Sequence, residues 1–171
     1  MVEDLKHIKK RLAEEGDKTI AFFDSLSDLD WDQQVYTTGS GWRVRQLLAH
    51  FISAERAYQQ AIQDVLHGGK GVPEDLDIDR FNEQETYPLS LKRVPDLIED
   101  LRQSRAETIG IIQDLDQSDL SRSANHPWFG EKEVAWLLKL LYRHQSMHLS
   151  DVRKALKTLA PLSHVDRFRD V

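Results

Sequence analysis

The stretch Gly69-Lys70-Gly71-Val72-Pro73-Glu74-Asp75-Leu76-Asp77-Ile78-Asp79-Arg80-Phe81-Asn82-Glu83-Gln84-Glu85-Thr86-Tyr87-Pro88 separates two amphipathic segments of the chain. Its apolar residues, Leu76, Ile78, Phe81 and Tyr87, are scattered among acids and carry no sustained period. It reads as a connection containing at most one helical turn. Antiparallel helix neighbours need only ~2–8 linking residues. A connection of about 20 residues is long enough to run back along a bundle and start the next helix in the same direction. The helices on either side are therefore predicted to be parallel.

Upstream lies a segment from about Arg43 to His67, with Val44, Leu47, Phe51, Ala54, Tyr58, Ala61 and Val65 on one stripe. Gly68 and Gly69 stop it. Before it, a first segment runs from about Val2 to Leu29 on Leu5, Ile8, Leu12, Phe23 and Leu26. Gly16 interrupts that segment at a cost of about 1 kcal/mol relative to Ala. The stretch from Ser27 to Ser40 is a predicted loop. Downstream, a third segment runs from about Ser90 to Leu115, with Pro95 tolerated in its first turns. A fourth runs from about Glu131 to Leu159, and Pro161 stops it. No strand-like alternation and no repeat is visible. The predicted fold is all-α: one domain over residues 1–171, a four-helix bundle in up-down-down-up order, with the long crossover between helices two and three.

Composition narrows the functions. The 171 residues carry a net charge of −6, which argues against a nucleic-acid partner. No apolar run approaches the ~20 residues that span a bilayer, and the N-terminus lacks a signal-peptide core, so a cytoplasmic location without membrane contact is expected. With no cysteine, the chain offers neither a thiol nucleophile nor thiolate metal ligands. Any metal must be held by His, Asp or Glu.

Polar residues on apolar stripes are the candidates. At about 100° per residue, His50 lies roughly 60–70° from the centre of the helix-two stripe. It is flanked there by Ala54, Ala57 and Ala61, whose small side chains leave room for a cavity. On helix four, His148 and His144 fall about 40° and 80° from the stripe through Val134 and Val152. Spaced i and i+4, these two imidazoles reach one ion. An inward His50 from a facing helix completes a three-histidine set with an open coordination position, as catalytic sites have. Periodicity alone leaves open that all three are satisfied core or boundary residues.

Two motifs carry a resemblance. Gly41-Trp42-Arg43-Val44-Arg45-Gln46-Leu47-Leu48-Ala49-His50 resembles the G-W-[ST]-x-x-x-x-L-x-H opening of helix two in the DinB-like (damage-inducible) superfamily. Arg143-His144-Gln145-Ser146-Met147-His148 resembles that superfamily's H-x-x-x-H on the last helix, and Phe81-Asn82 also fits. The resemblance implies a divalent metal on His50, His144 and His148. It also implies kinship with bacillithiol transferases and mycothiol-dependent maleylpyruvate isomerases, which use a low-molecular-weight thiol. Zinc or nickel is the first choice of metal, with iron or manganese as alternatives.

The leading expectation is an enzyme that transfers such a thiol to a small electrophile. The alternatives are a hydrolase using activated water and a non-catalytic metal- or ligand-binding stress protein. Asp151 borders the face of His144 and His148 and can support a ligand imidazole from behind, although a solvated surface role competes. Arg105, on the helix-three stripe, can meet an anionic substrate or form a structural ion pair. Asn82 and Tyr87 are expected at the entrance, and Trp42 against the start of helix two. His126, in the loop before helix four, is placed at the opposite end from the site. His7, His67 and His164 are read as surface residues, and a homodimer is allowed for.

Overall fold

A computed structural model describes residues 4–163. Among these the chain is mostly helical, with five α-helices: α1 (Leu5–Asp24), α2 (Val44–Leu66), α3 (Ile78–Ser90), α4 (Val94–Gln113) and α5 (Val134–Thr158). A two-stranded antiparallel hairpin, β1 (Ser123–His126) and β2 (Gly130–Glu133), precedes α5. Single 3-10 turns occupy Asp30–Asp32 and Asp119–Ser121.

Three expectations are corrected. The crossover is not a loop with one turn, because α3 fills its second half. Asp77 caps that helix by accepting from the Arg80 N–H at 3.0 Å. Only Thr86 and Ser90 of α3 are buried, so the helix carries no apolar stripe for periodicity to find. The hairpin is the second correction. Pro127, Trp128 and Phe129 form a three-residue loop, and Gly130 closes it at φ 67°, a conformation glycine adopts without penalty. Strands of four residues are too short to alternate visibly. Third, α1 ends at Asp24, well short of Leu29, which is 87% exposed. The start assigned near Val2 and the surface reading of His164 lie outside the described residues.

Two apolar clusters make the core. One gathers Phe23, Phe51, Leu97 and Val152 with their neighbours; the other gathers Leu12, Ile62, Ile112 and Leu138. α2 and α4 enter the first cluster with their N-terminal halves and the second with their C-terminal halves, whereas α1 and α5 do the reverse.

Between the clusters lies a buried polar belt. Arg105 of α4 donates from Nη1 to the Leu12 carbonyl at 3.0 Å and from Nη2 to Gln145 Oε1 at 2.7 Å. Its Nε lies 2.9 Å from Glu55 Oε1. Thr108 donates to Glu55 at 2.7 Å, and Gln145 Nε2 donates to it at 3.0 Å. The belt ties α1, α2, α4 and α5 at one level, with the buried guanidinium paired to a buried carboxylate.

Candidate metal centre

His50 lies in the second turn of α2, and His144 and His148 lie one turn apart on α5. Their Nε2 atoms converge. That of His144 is 3.0 Å from His50 Nε2 and 2.9 Å from His148 Nε2. The donor atoms of all three lie within 4.8 Å of one another. Imidazoles sharing one ion at about 2.1 Å have donor nitrogens roughly 3.0–3.4 Å apart, so this spacing suits a common cation.

Protonation agrees with that use. Burial holds the His50 pKa well below 6.5, and His144 lowers it further. Burial, followed by the charge of His126, pushes His144 down to about 3. Both rings are therefore neutral at pH 7, with lone pairs to offer.

His148 has its tautomer set from behind. Tyr36 donates its hydroxyl proton to Asp151 Oδ2 at 2.9 Å, so at 2.6 Å from His148 Nδ1 it accepts. The proton sits on Nδ1, and Nε2 is bare toward the other two rings. Asp151 thus reaches His148 through Tyr36. Sequence reasoning missed Tyr36, which lies in the predicted loop. Its backbone N–H donates to the Trp42 carbonyl at 3.2 Å, and residues 34 and 43 bridge antiparallel, which presents the phenol to α5. A loop side chain that acts across the fold leaves no periodic signal.

The three histidines form one wall of a cavity of about 850 Å³. Ala54 and Ala57 give it room on the α2 side, as the small side chains suggested, and Trp42 stacks near His50 with ring centroids 4.5 Å apart. Asn82, from α3, lines the cavity; Tyr87 does not, being 60% exposed on the outer side of the same helix. Arg105 is likewise away from the cavity, in the polar belt. The expectation that put Tyr87 at the entrance is corrected to the outer side of α3, and of the two roles weighed for Arg105 the structural ion pair, with Glu55, is the one found. The placement of His126 is corrected too. It is buried in the same cavity, because the cavity extends along α2 from His50 to Tyr58 instead of ending at the helix start. His7 and His67 are exposed.

The sequence matches the family model of the DinB superfamily over residues 11–152. No curated protein sequence is significantly similar. Solved structures are. A mycothiol-dependent maleylpyruvate isomerase superposes with a TM-score of 0.75 at 12% identity, over 88% of this chain and 61% of that one. This chain therefore spans less than two thirds of that protein's length. An uncharacterised protein from Clostridium difficile 630 gives 0.73 at 15% identity, covering 92% of this chain and 98% of that one. A DinB-like protein from Bacillus cereus gives 0.68 at 14% identity, covering 93% and 95%. At such identities these likenesses establish a shared fold.

Proposed function

This chain belongs to the DinB superfamily, and we propose that it is a metal-dependent enzyme that joins a low-molecular-weight thiol to a small electrophile. The observation that carries the reading is the convergence of three histidine nitrogens, that of His144 lying 3.0 Å from His50 and 2.9 Å from His148, on the wall of a cavity of ligand size. The arrangement of the two core clusters supports an up-down-down-up bundle of α1, α2, α4 and α5, with α3 in the crossover. Two faces of that bundle, on α2 and α5, supply the site.

In this reading His50, His144 and His148 hold a divalent cation, zinc or nickel first. Bound there, the ion supplies a positive charge that lowers the pKa of a thiol or a water beside it. The protein's own groups do the rest. Tyr36 and Asp151 keep the His148 proton on Nδ1. Trp42 and Phe81 exclude water from the wall around the histidines and offer aromatic surface to a substrate. The chain has no cysteine, so the attacking sulfur belongs to the thiol substrate. The thiol proton passes to solvent, the sulfur forms the new bond to the electrophilic carbon, and the bond from that carbon to its leaving group breaks, its electron pair departing with the leaving group. The mycothiol dependence of one structural neighbour supports the choice of thiol over water.

Elemental analysis of untagged protein, purified without metal columns, tests the premise. About one equivalent of metal is expected in the parent, with sharp loss in His148→Ala and His50→Ala at unchanged helicity. Full occupancy in those variants overturns the ligand set. Bacillithiol, mycothiol and glutathione, each paired with a bimane electrophile, then test the reaction. Turnover that needs both metal and thiol supports thiol transfer. Metal-dependent ester hydrolysis without thiol moves the reading to a hydrolase, and tight metal binding without turnover moves it to a binding protein.

A further inference from the structure

Tyr58 and His126 face the cavity beyond the histidine trio. Tyr58 follows His50 by eight residues on α2, a rise of about 12 Å along the helix, so this pair belongs to a different part of the cavity. The protons of the pair can be assigned. The Trp128 backbone N–H donates to His126 Nδ1 at 3.2 Å, so Nδ1 is an acceptor and the ring proton of the neutral imidazole is on Nε2. His126 Nε2 lies 3.0 Å from the Tyr58 hydroxyl and must donate to it. The hydroxyl oxygen accepts that bond, and the hydroxyl's own proton has no acceptor among the described residues.

We infer that Tyr58 donates this proton to an uncharged carbonyl oxygen of the cavity ligand, with His126 as the residue that positions it. The uncharged class follows from the surroundings. Both groups of the pair are neutral. A protonated His126 would aim an N–H at the Trp128 N–H, and burial already holds its pKa down at about 4. Burial likewise raises the Tyr58 phenol above the usual tyrosine range, so it stays a donor. Neither group of the pair brings a cation to a carboxylate, whose burial without one is costly; the ammonium of Lys132, whose charge is felt at His126, lies over the Trp136 ring instead, and Arg80 lines the cavity from the exposed side of α3. Phe129, with its ring centroid 4.9 Å from that of His126, and Trp128 add aromatic surface for the group that bears the carbonyl. The site selects a ligand long enough to place a ketone, ester or amide oxygen here. The inference does not depend on a metal being held by the three histidines.

Three probes of similar shape test it: acetophenone, ethylbenzene and benzoate. Binding is followed through the tryptophan indole N–H resonances, on protein as purified and again with chelator. Acetophenone is expected to bind about fivefold to tenfold more tightly than ethylbenzene, and more tightly than benzoate. In Tyr58→Phe the acetophenone preference falls to near unity, while ethylbenzene binds as before. The carbonyl stretch of ¹³C-labelled acetophenone is expected to move to lower frequency on binding the parent but not the variant. A preference that survives Tyr58→Phe overturns the inference, whether or not chelation removes it. So does a preference for benzoate, or no saturable binding of acetophenone to the parent. Metal content read alongside separates failure here from failure of the metal reading.

Discussion

At the scale of single residues, burial of uncharged imidazoles links the cavity to acid stability. Burial, followed by the charge of Lys132, pushes the His126 pKa down to about 4, against 6.5 for an ordinary histidine. Between those values the unfolded chain binds a proton that the folded chain does not. Stability is then complete above pH 6.5 and falls as pH drops toward about 4. From pH 7.5 to 5.0 this one residue is expected to remove about 2 kcal/mol. Replacement by glutamine keeps an acceptor for the Trp128 N–H and a donor for Tyr58 but does not titrate. Urea unfolding of parent and His126→Gln at the two pH values isolates the effect, since other buried histidines contribute to both proteins. The parent should lose about 2 kcal/mol more than the variant; equal losses would show that His126 takes up its proton in the folded chain as readily as in the unfolded one. The same residue marks a limit of sequence reasoning. Its distance from His50 was judged from helix ends, whereas the cavity follows the flank of α2.

At the scale of elements, Gly16 shows why propensity reads differently once packing is known. Alanine in its place in α1 should gain about 1 kcal/mol from helix propensity alone. A Cβ there would sit 2.9 Å from Arg105 Cγ and 3.1 Å from its Cδ. That stem has no freedom to swing aside, because its guanidinium is held by the Leu12 carbonyl, Glu55 and Gln145. Gly16→Ala is therefore expected to destabilise, by about 1–3 kcal/mol as overpacking does, measured as a lower urea midpoint. A raised midpoint would mean that the Arg105 stem moves easily and the belt is loose. The long apolar stripes of α1, α2, α4 and α5 were legible because each covers several turns and faces the core. α3 was not, because it buries only Thr86 and Ser90, and its one clear signal was the capping Asp77. The hairpin escaped because its strands are four residues each.

At the scale of the molecule, the histidines link two helices that meet nowhere near each other in sequence. His50 opens α2, and His144 and His148 sit 94 or more positions later on α5. That they share a face was readable from i, i+4 spacing and inward angle, and Asp151 was readable as a support behind that face; that Tyr36 bridges Asp151 to His148 required the loop to be folded. An ion on these three nitrogens cross-links α2 to α5, and it binds the folded chain alone. Mass action then raises stability by about 2.7 kcal/mol at a free zinc concentration 100 times Kd. For a domain of this size Tm should rise by roughly 5–10 °C between chelator and saturating zinc. His50→Ala leaves two imidazoles on one helix and no link to the other. Its Tm should be nearly indifferent to zinc, with far-UV circular dichroism unchanged from the parent. A zinc-dependent rise of equal size in that variant would place the stabilising ion elsewhere, and the convergence of the three rings would then be a feature of core packing.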